Sequence, residues 1–172
     1  MTQLISSAEV AVSPVSSKPE PRQRLRALLA TSDSVVPSLL RISLGGVVFG
    51  HGLQKVFGWF GGYGIDGSLQ FFGSIGVPSV LGALVIVSDF LGSLALIAGL
   101  ATRLSAAAAA AVMVGAMLLV HLPNGFFMNW GGAPHGEGYE FHLLALGMAA
   151  ALVLAGGGFA SVDAWLARKL AR

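Results

Sequence analysis

The sequence predicts an all-α integral membrane protein, an up-down four-helix bundle with glycine- and aromatic-rich outer loops. Three observations lead there. Of 172 residues, 55% are hydrophobic and 10% charged, against about 25% charged in soluble domains. With a mean hydropathy of +0.78, the chain carries more apolar surface than a soluble fold of this length can bury. Four apolar stretches, 36–58, 78–100, 104–122 and 138–158, approach the ~20 residues a helix needs to cross ~30 Å of hydrocarbon. If these stretches alternate, Lys18, Arg22, Arg24, Arg26, Arg103, Arg168, Lys169 and Arg172 fall on one side, against Lys55 alone on the other. Arg41 lies inside the first stretch near its basic end. That asymmetry predicts a multi-pass protein of the inner or plasma membrane with both termini cytoplasmic.

The elements follow in order. Residues 1–34 are rich in serine, proline and charge and read as a disordered arm, or, over Pro21–Ala30, as a short basic amphipathic helix on the membrane surface. No apolar run follows a basic start there, so the arm does not read as a cleaved signal peptide. Residues 35–165 form the transmembrane domain and 166–172 a basic tail. Gly46 and Gly50 make a GxxxG pair in the first span, and Ala106–Ala111 give the third a smooth face, both of which permit close helix approach. The short inner connection at Ala101–Arg103 favours up-down topology.

The outer connections, 59–77 and 123–137, differ from it. With the adjoining Tyr139 they hold nine of the 15 aromatics: Trp59, Phe60, Tyr63, Phe71, Phe72, Phe126, Phe127, Trp130 and Tyr139. This set reads equally as an interfacial belt or as a lid over a flat ligand. Asp66–Gly76 suits a short re-entrant helix with Asp66 as its N-cap.

Composition excludes several chemistries. With no cysteine, disulfides, thiolate metal sites, iron–sulfur ligation and a CxxC redox pair are absent. Electron transfer must therefore use a cofactor, a quinone or a partner protein. The net charge of +2, without basic residues interleaved with aromatics, argues against nucleic acid as a partner.

Ionisable residues within apolar spans are costly and are functional candidates by default. His51, Gln54 and Lys55 share a helix face at i, i+3 and i+4 in the outer third of the first span. His121 ends the third span, Glu140 and His142 open the fourth, and Asp89 lies about eleven residues into the second. The set could converge in one outer pocket above Asp89. Bland readings stand beside this one: Lys55 snorkelling to the interface, an Arg41–Asp89 structural ion pair, His121 capping a helix end, and a solvated His135. A metal set of His51, His121, Glu140 and His142 is a weaker alternative, because no HxxxH or ExxH pair stands on one helix face.

These residues sit in recognisable motifs. His51–Gly58 (HGLQKVFG), Asp89–Gly92 (DFLG), Gly99–Arg103 (GLATR), Gly138–Glu140 (GYE) and Gly156–Asp163 (GGGFASVD) together resemble the DoxX family over roughly residues 36–165. Asp89 stands where glutamate is more usual in that family. The resemblance implies four transmembrane helices and a membrane subunit linked to quinol oxidase or thiosulfate:quinone oxidoreductase systems. The leading expectation is a redox-linked subunit binding a quinone near the outer leaflet, with a protein partner or a homo-oligomer. His51 and Lys55 are the expected carbonyl partners, Glu140 the proton exchanger at the outer mouth, and Asp89 a deeper proton relay or a counter-ion for Lys55. Gln54, His121, His142, Trp59 and Tyr139 are further ring-binding residues. A non-enzymatic anchor or assembly subunit is the second reading. A transporter is the third, with no evident inverted repeat to support it.

Overall fold

A computed structural model describes residues 29–132 and 136–170. Most of the N-terminal arm, His135 and Arg172 lie outside the described residues. Among those described, the chain is all-helical: α1 is Val36–Phe57, α2 Gly64–Ser74, α3 Ser79–Ala98, α4 Thr102–Asn124, α5 Glu140–Ala155 and α6 Val162–Leu170. Three of these, α1, α3 and α4, with 22, 20 and 23 residues, are long and apolar enough to cross a membrane. The fourth apolar stretch is divided. Its helix, α5, has 16 residues, about 24 Å at 1.5 Å per residue, and the stretch then turns at Gly156 into a loop.

The long helices close a ring of contacts, α1 on α3, α3 on α4, α4 on α5 and α5 on α1, while α2 lies against α1 and α3. Leu44, Val48, Leu96, Ala106, Ala109, Met113, Ala145, Ala149 and Leu152 fill the centre. Within the alanine run, Ala106 and Ala109 are buried while Ala107 and Ala111 are exposed, so one face of it makes the contact. Leu39, Leu84, Leu104, Leu144 and Leu154 stand outward, each at least half exposed. An apolar girdle of this kind is stable in lipid and would aggregate in water. This is a membrane protein.

The GxxxG pair is not where the helices meet. A Cβ on Gly46 or Gly50 would meet nothing within 4 Å. The close approach is at Gly45 and Gly52, seven residues apart on the face of Leu44 and Val48. A Cβ there would lie 2.9 Å from Ile97 Cγ1 and 2.5 Å from the Asp89 carbonyl oxygen respectively. The α1–α3 contact thus runs at a heptad interval, and the four-residue spacing is incidental. Asp66 is likewise displaced: α2 begins at Gly64 with Tyr63 at its N-cap, so Asp66 sits within the first turn.

At the end opposite the aromatic loops, Arg41 is buried at 3% exposure. Its guanidinium donates to the carbonyls of Leu96, Ile97, Gly157 and Ala160, binding the last turn of α3 to the loop after α5. The Arg41–Asp89 pairing is therefore overturned, because Arg41 is satisfied by carbonyls at the basic end. Asp163 instead caps α4, its carboxylate oxygens each accepting at 2.8 Å from the Ala101 and Thr102 N–H groups, where an anion also complements the helix dipole. Gly99 turns the chain between α3 and α4 at φ +70°, and a Cβ on it would lie 2.4 Å from Ser161 Cβ. The GLATR and GGGFASVD motifs are thus one polar knot. Residues 30–34 join it: Arg103 donates to the Ala30 carbonyl at 3.0 Å, and Ser32 N–H donates to the Ala155 carbonyl.

Alanine at two glycines tests the α1–α3 contact. Gly52→Ala is expected to cost about 1–3 kcal/mol by overpacking, whereas Gly46→Ala should be neutral or stabilise by up to about 1 kcal/mol. Thermal unfolding in detergent reads the difference, and equal effects would refute the assignment.

Candidate functional site

Two of the long helices depart from α-helical geometry. In α3, Ser88–Gly92 widens into a π segment, and in α4, Met117–His121 does the same. Widening a turn frees carbonyls from the regular ladder and re-aims side chains. In α3 the strain is absorbed locally. The Ser93 hydroxyl lies 2.5 Å from the Asp89 carbonyl oxygen and 3.0 Å from that of Phe90, and Gly52 of α1 gives the bulged backbone room. The first π segment carries Asp89 and the second ends on His121.

Lys55 reaches Asp89 across the α1–α3 contact, with Nζ 2.8 Å from Oδ2. The Asp89 side chain is 3% exposed and that of Lys55 23%. One oxygen, Asp89 Oδ1, and the neighbouring Ser88 Oγ are buried without a hydrogen-bond partner among the described residues. His51 lies near enough to Asp89 and to His142 for electrostatic interaction with both.

Lys55, Ser88, Asp89 and His121 line a cleft of about 790 Å³ between α2, α3 and α4. They supply its polar side chains. The remaining walls are apolar, from Phe71 and Phe72 of α2, through Leu81, Leu84 and Val87 of α3, to Val112, Gly115 and Leu119 of α4. Leu81, Leu84 and Leu119 are each about half exposed, so the cleft faces outward from the bundle, towards lipid. Its volume falls within the range of small-molecule sites, about 300–1,000 Å³.

The other expected residues are distributed around this centre. His51 is exposed, and its Nδ1 lies 3.1 Å from Gln54 Oε1. The rings of His121 and His142 meet at a tilt of 45°, with centroids 4.2 Å apart. His121 Nδ1 donates to the Glu137 carbonyl at 2.8 Å, which fixes its tautomer and leaves Nε2 as the second ring nitrogen. The Glu140 carboxylate accepts from Met128 N–H at 2.8 Å and tethers the outer loop. Tyr139 packs against Phe126, and Trp59 against Phe57. No group of three or more His, Cys, Asp and Glu side chains suited to a metal occurs among the described residues. Sequence reasoning missed Ser88, Gly115 and the leucines of the cleft. Ser88, beside the intramembrane Asp89, was the one with a readable signal.

The family model described as DoxX matches residues 36–122, a segment that contains every residue lining the cleft. A Bacillus subtilis (strain 168) protein named "Putative oxidoreductase CatD" is 34% identical over 125 residues, covering 73% of this chain and 82% of that one. No solved structure matches the chain.

Removing one partner of a buried ion pair leaves the other charge uncompensated, at a cost of about 3–5 kcal/mol. Asp89→Asn should therefore fall near the lower end of that range, because Lys55 keeps some exposure. Lys55→Met combined with Asp89→Asn should restore most of the loss. Thermal stability of the purified variants measures both, and a double variant no more stable than Asp89→Asn alone would show that the pair is not what holds this contact.

Proposed function

The chain belongs to the DoxX family, and on that footing we propose that it is a redox-linked membrane subunit that binds a quinone, or a similar lipid-soluble ring, in the cleft between α3 and α4. The observation that carries this reading is the cleft itself, with apolar walls open towards lipid and polar side chains limited to Lys55, Ser88, Asp89 and His121. A quinone has complementary chemistry, an apolar ring and tail with two carbonyl acceptors. Bound there, it would supply reversible two-electron, two-proton chemistry.

The chain's residues have separable tasks. The Lys55 ammonium donates to a ring carbonyl while Asp89 holds it in place and balances its charge, which limits the cost of a lone cation in low dielectric. His121, with Nδ1–H committed to Glu137, offers Nε2 to a hydroxyl of the reduced ring. His51 does not line the cleft, so this reading moves the second ring partner from His51 to His121. It also moves the proton relay from Glu140 to the Lys55–Asp89 pair. The apolar walls keep bulk water from the ring. In this reading electrons come from a partner protein; a chain without cysteine has no thiol couple of its own. The name of the Bacillus relative supports a redox role.

The same reading has α5 as a fourth span, completed by its flanking loops, and both termini in the cytoplasm beneath the plasma membrane. Arg103, Arg168 and Lys169 at one end support that orientation. An anchoring or assembly role is favoured by a different observation. Phe60, Tyr63, Phe127 and Trp130 are all strongly exposed at the aromatic end, Trp130 at 89%, and could dock a partner.

Gly115 provides the test. It lines the cleft, and a Cβ on it meets nothing within 4 Å, so a larger side chain enters the space without displacing backbone. Gly115→Phe should weaken binding of a short-tailed quinone by tenfold or more, about 1.4 kcal/mol, at unchanged thermal stability. Unchanged affinity would move the ligand elsewhere, and no quinone binding by the unsubstituted protein would favour the anchoring role.

A further inference from the structure

A second cavity, of about 320 Å³, lies at the aromatic end between the last turn of α1, the Gly61–Tyr63 loop and α2. Its roof is seated directly on α1: a Cβ on Gly62 would lie 2.3 Å from the Gln54 carbonyl oxygen. Tyr63, on its rim, is 73% exposed. This cavity and the lipid-facing cleft share three lining residues, Lys55, Phe71 and Phe72. The walls nevertheless differ in kind. Gln54, Lys55, Ser68 and glycine backbone share the lining of the smaller space with Tyr63, Phe71 and Phe72, and these polar groups can give a water the two to four partners it needs. The larger space offers mostly aliphatic side chains.

We propose that the smaller cavity is an aqueous vestibule through which water and protons reach the Lys55–Asp89 pair, and that Lys55 is the gate between it and the cleft. Only the use made of the protons rests on the quinone reading; the water route stands without it. Lys55 is suited to the position. It pairs with Asp89 on the cleft side, it lines the vestibule on the other, and its three N–H donors exceed what one carboxylate oxygen takes. A proton given up by the Lys55 ammonium into the cleft leaves a neutral amine, which takes a proton back from hydronium reaching it through the vestibule, with water left behind. While Lys55 is neutral the buried Asp89 carboxylate stands unpaired, and that cost drives the return of the proton and restores the pair. Gln54, hydrogen-bonded to His51, extends the polar lining to the other ionisable group near Asp89.

The absence of cysteine from the chain makes single cysteines clean reporters. Tyr63→Cys, Ser68→Cys and Ser88→Cys place thiols at the rim, in the vestibule and in the cleft. In sealed membrane vesicles, a charged, membrane-impermeant maleimide applied to the face that labels Tyr63→Cys should also label Ser68→Cys. It should label Ser88→Cys at least tenfold more slowly, although a lipophilic maleimide reaches that position. Adding Lys55→Ala and Asp89→Asn together to Ser88→Cys opens the gate without stranding a charge, and should raise labelling by the charged reagent at least tenfold. An unreactive Ser68→Cys, or equal charged-reagent rates at Ser68→Cys and Ser88→Cys with Lys55 in place, would overturn the proposal. So would a rate at Ser88→Cys that the double substitution does not raise. The first comparison involves no change at Lys55, so it stands whatever that variant's stability. Labelling requires no quinone: the expected pattern in a protein that binds none would sink the function reading and leave the vestibule intact.

Discussion

The structure depends on one demand: a lysine and an aspartate must share low-dielectric space between α1 and α3. An isolated charge there costs several kcal/mol, and a pair is tolerable only when its geometry is close and fixed. The local features follow from that. Gly52 lets α1 rest on the backbone of Asp89. The π segment carries Asp89, whose carboxylate meets Lys55. The Ser93 hydroxyl takes up carbonyls that the widened turn releases. Here α2 lies against α1 and α3, and with α3 and α4 it encloses apolar space whose polar side chains include this pair.

The two ends of the bundle solve the same polar problem differently. At the basic end, Arg41 finds four carbonyl acceptors, Asp163 caps α4, and Ser161 and Gly99 close the remaining space. There each guanidinium nitrogen of Arg41 and both carboxylate oxygens of Asp163 are engaged, which suits a part that sets helix register. Thr102 Oγ1 and Arg103 Nε lack partners among the described residues but border neither cavity. At the Lys55–Asp89 site one carboxylate oxygen and the adjacent Ser88 hydroxyl lack partners among the described residues. A network left partly open beside a cavity is poised to accept a ligand group or a water. The contrast separates the chain's motifs into those that hold the bundle and those that face the cleft.

The sequence made much of this legible, and its failures have physical causes. Span limits were readable because hydrocarbon thickness fixes helix length, so α1, α3 and α4 lie where the apolar stretches do. Lys55 and Asp89 stood out because charge is expensive in lipid. Their mutual pairing was legible only as one option beside Arg41–Asp89, since side-chain reach, which residue spacing does not show, decides which cation Asp89 meets. The GxxxG pair misled because Gly45 and Gly52 occupy the contact face, and a glycine pattern does not reveal which side of its helix has a neighbour. Cleft-lining leucines were unreadable for a related reason. Composition cannot distinguish an apolar side chain facing a ligand from one facing lipid.

The central claim is that the space beside Lys55 and Asp89 receives the ring of a lipid-soluble ligand. Photolabelling with an azido-quinone in native membranes, followed by peptide mapping, tests it most directly. The account predicts adducts on Leu84–Ser88 of α3 and Gly115–His121 of α4, suppressed by excess unlabelled quinone. Adducts spread over outward leucines such as Leu39, Leu104 and Leu154, and unaffected by competition, would contradict it.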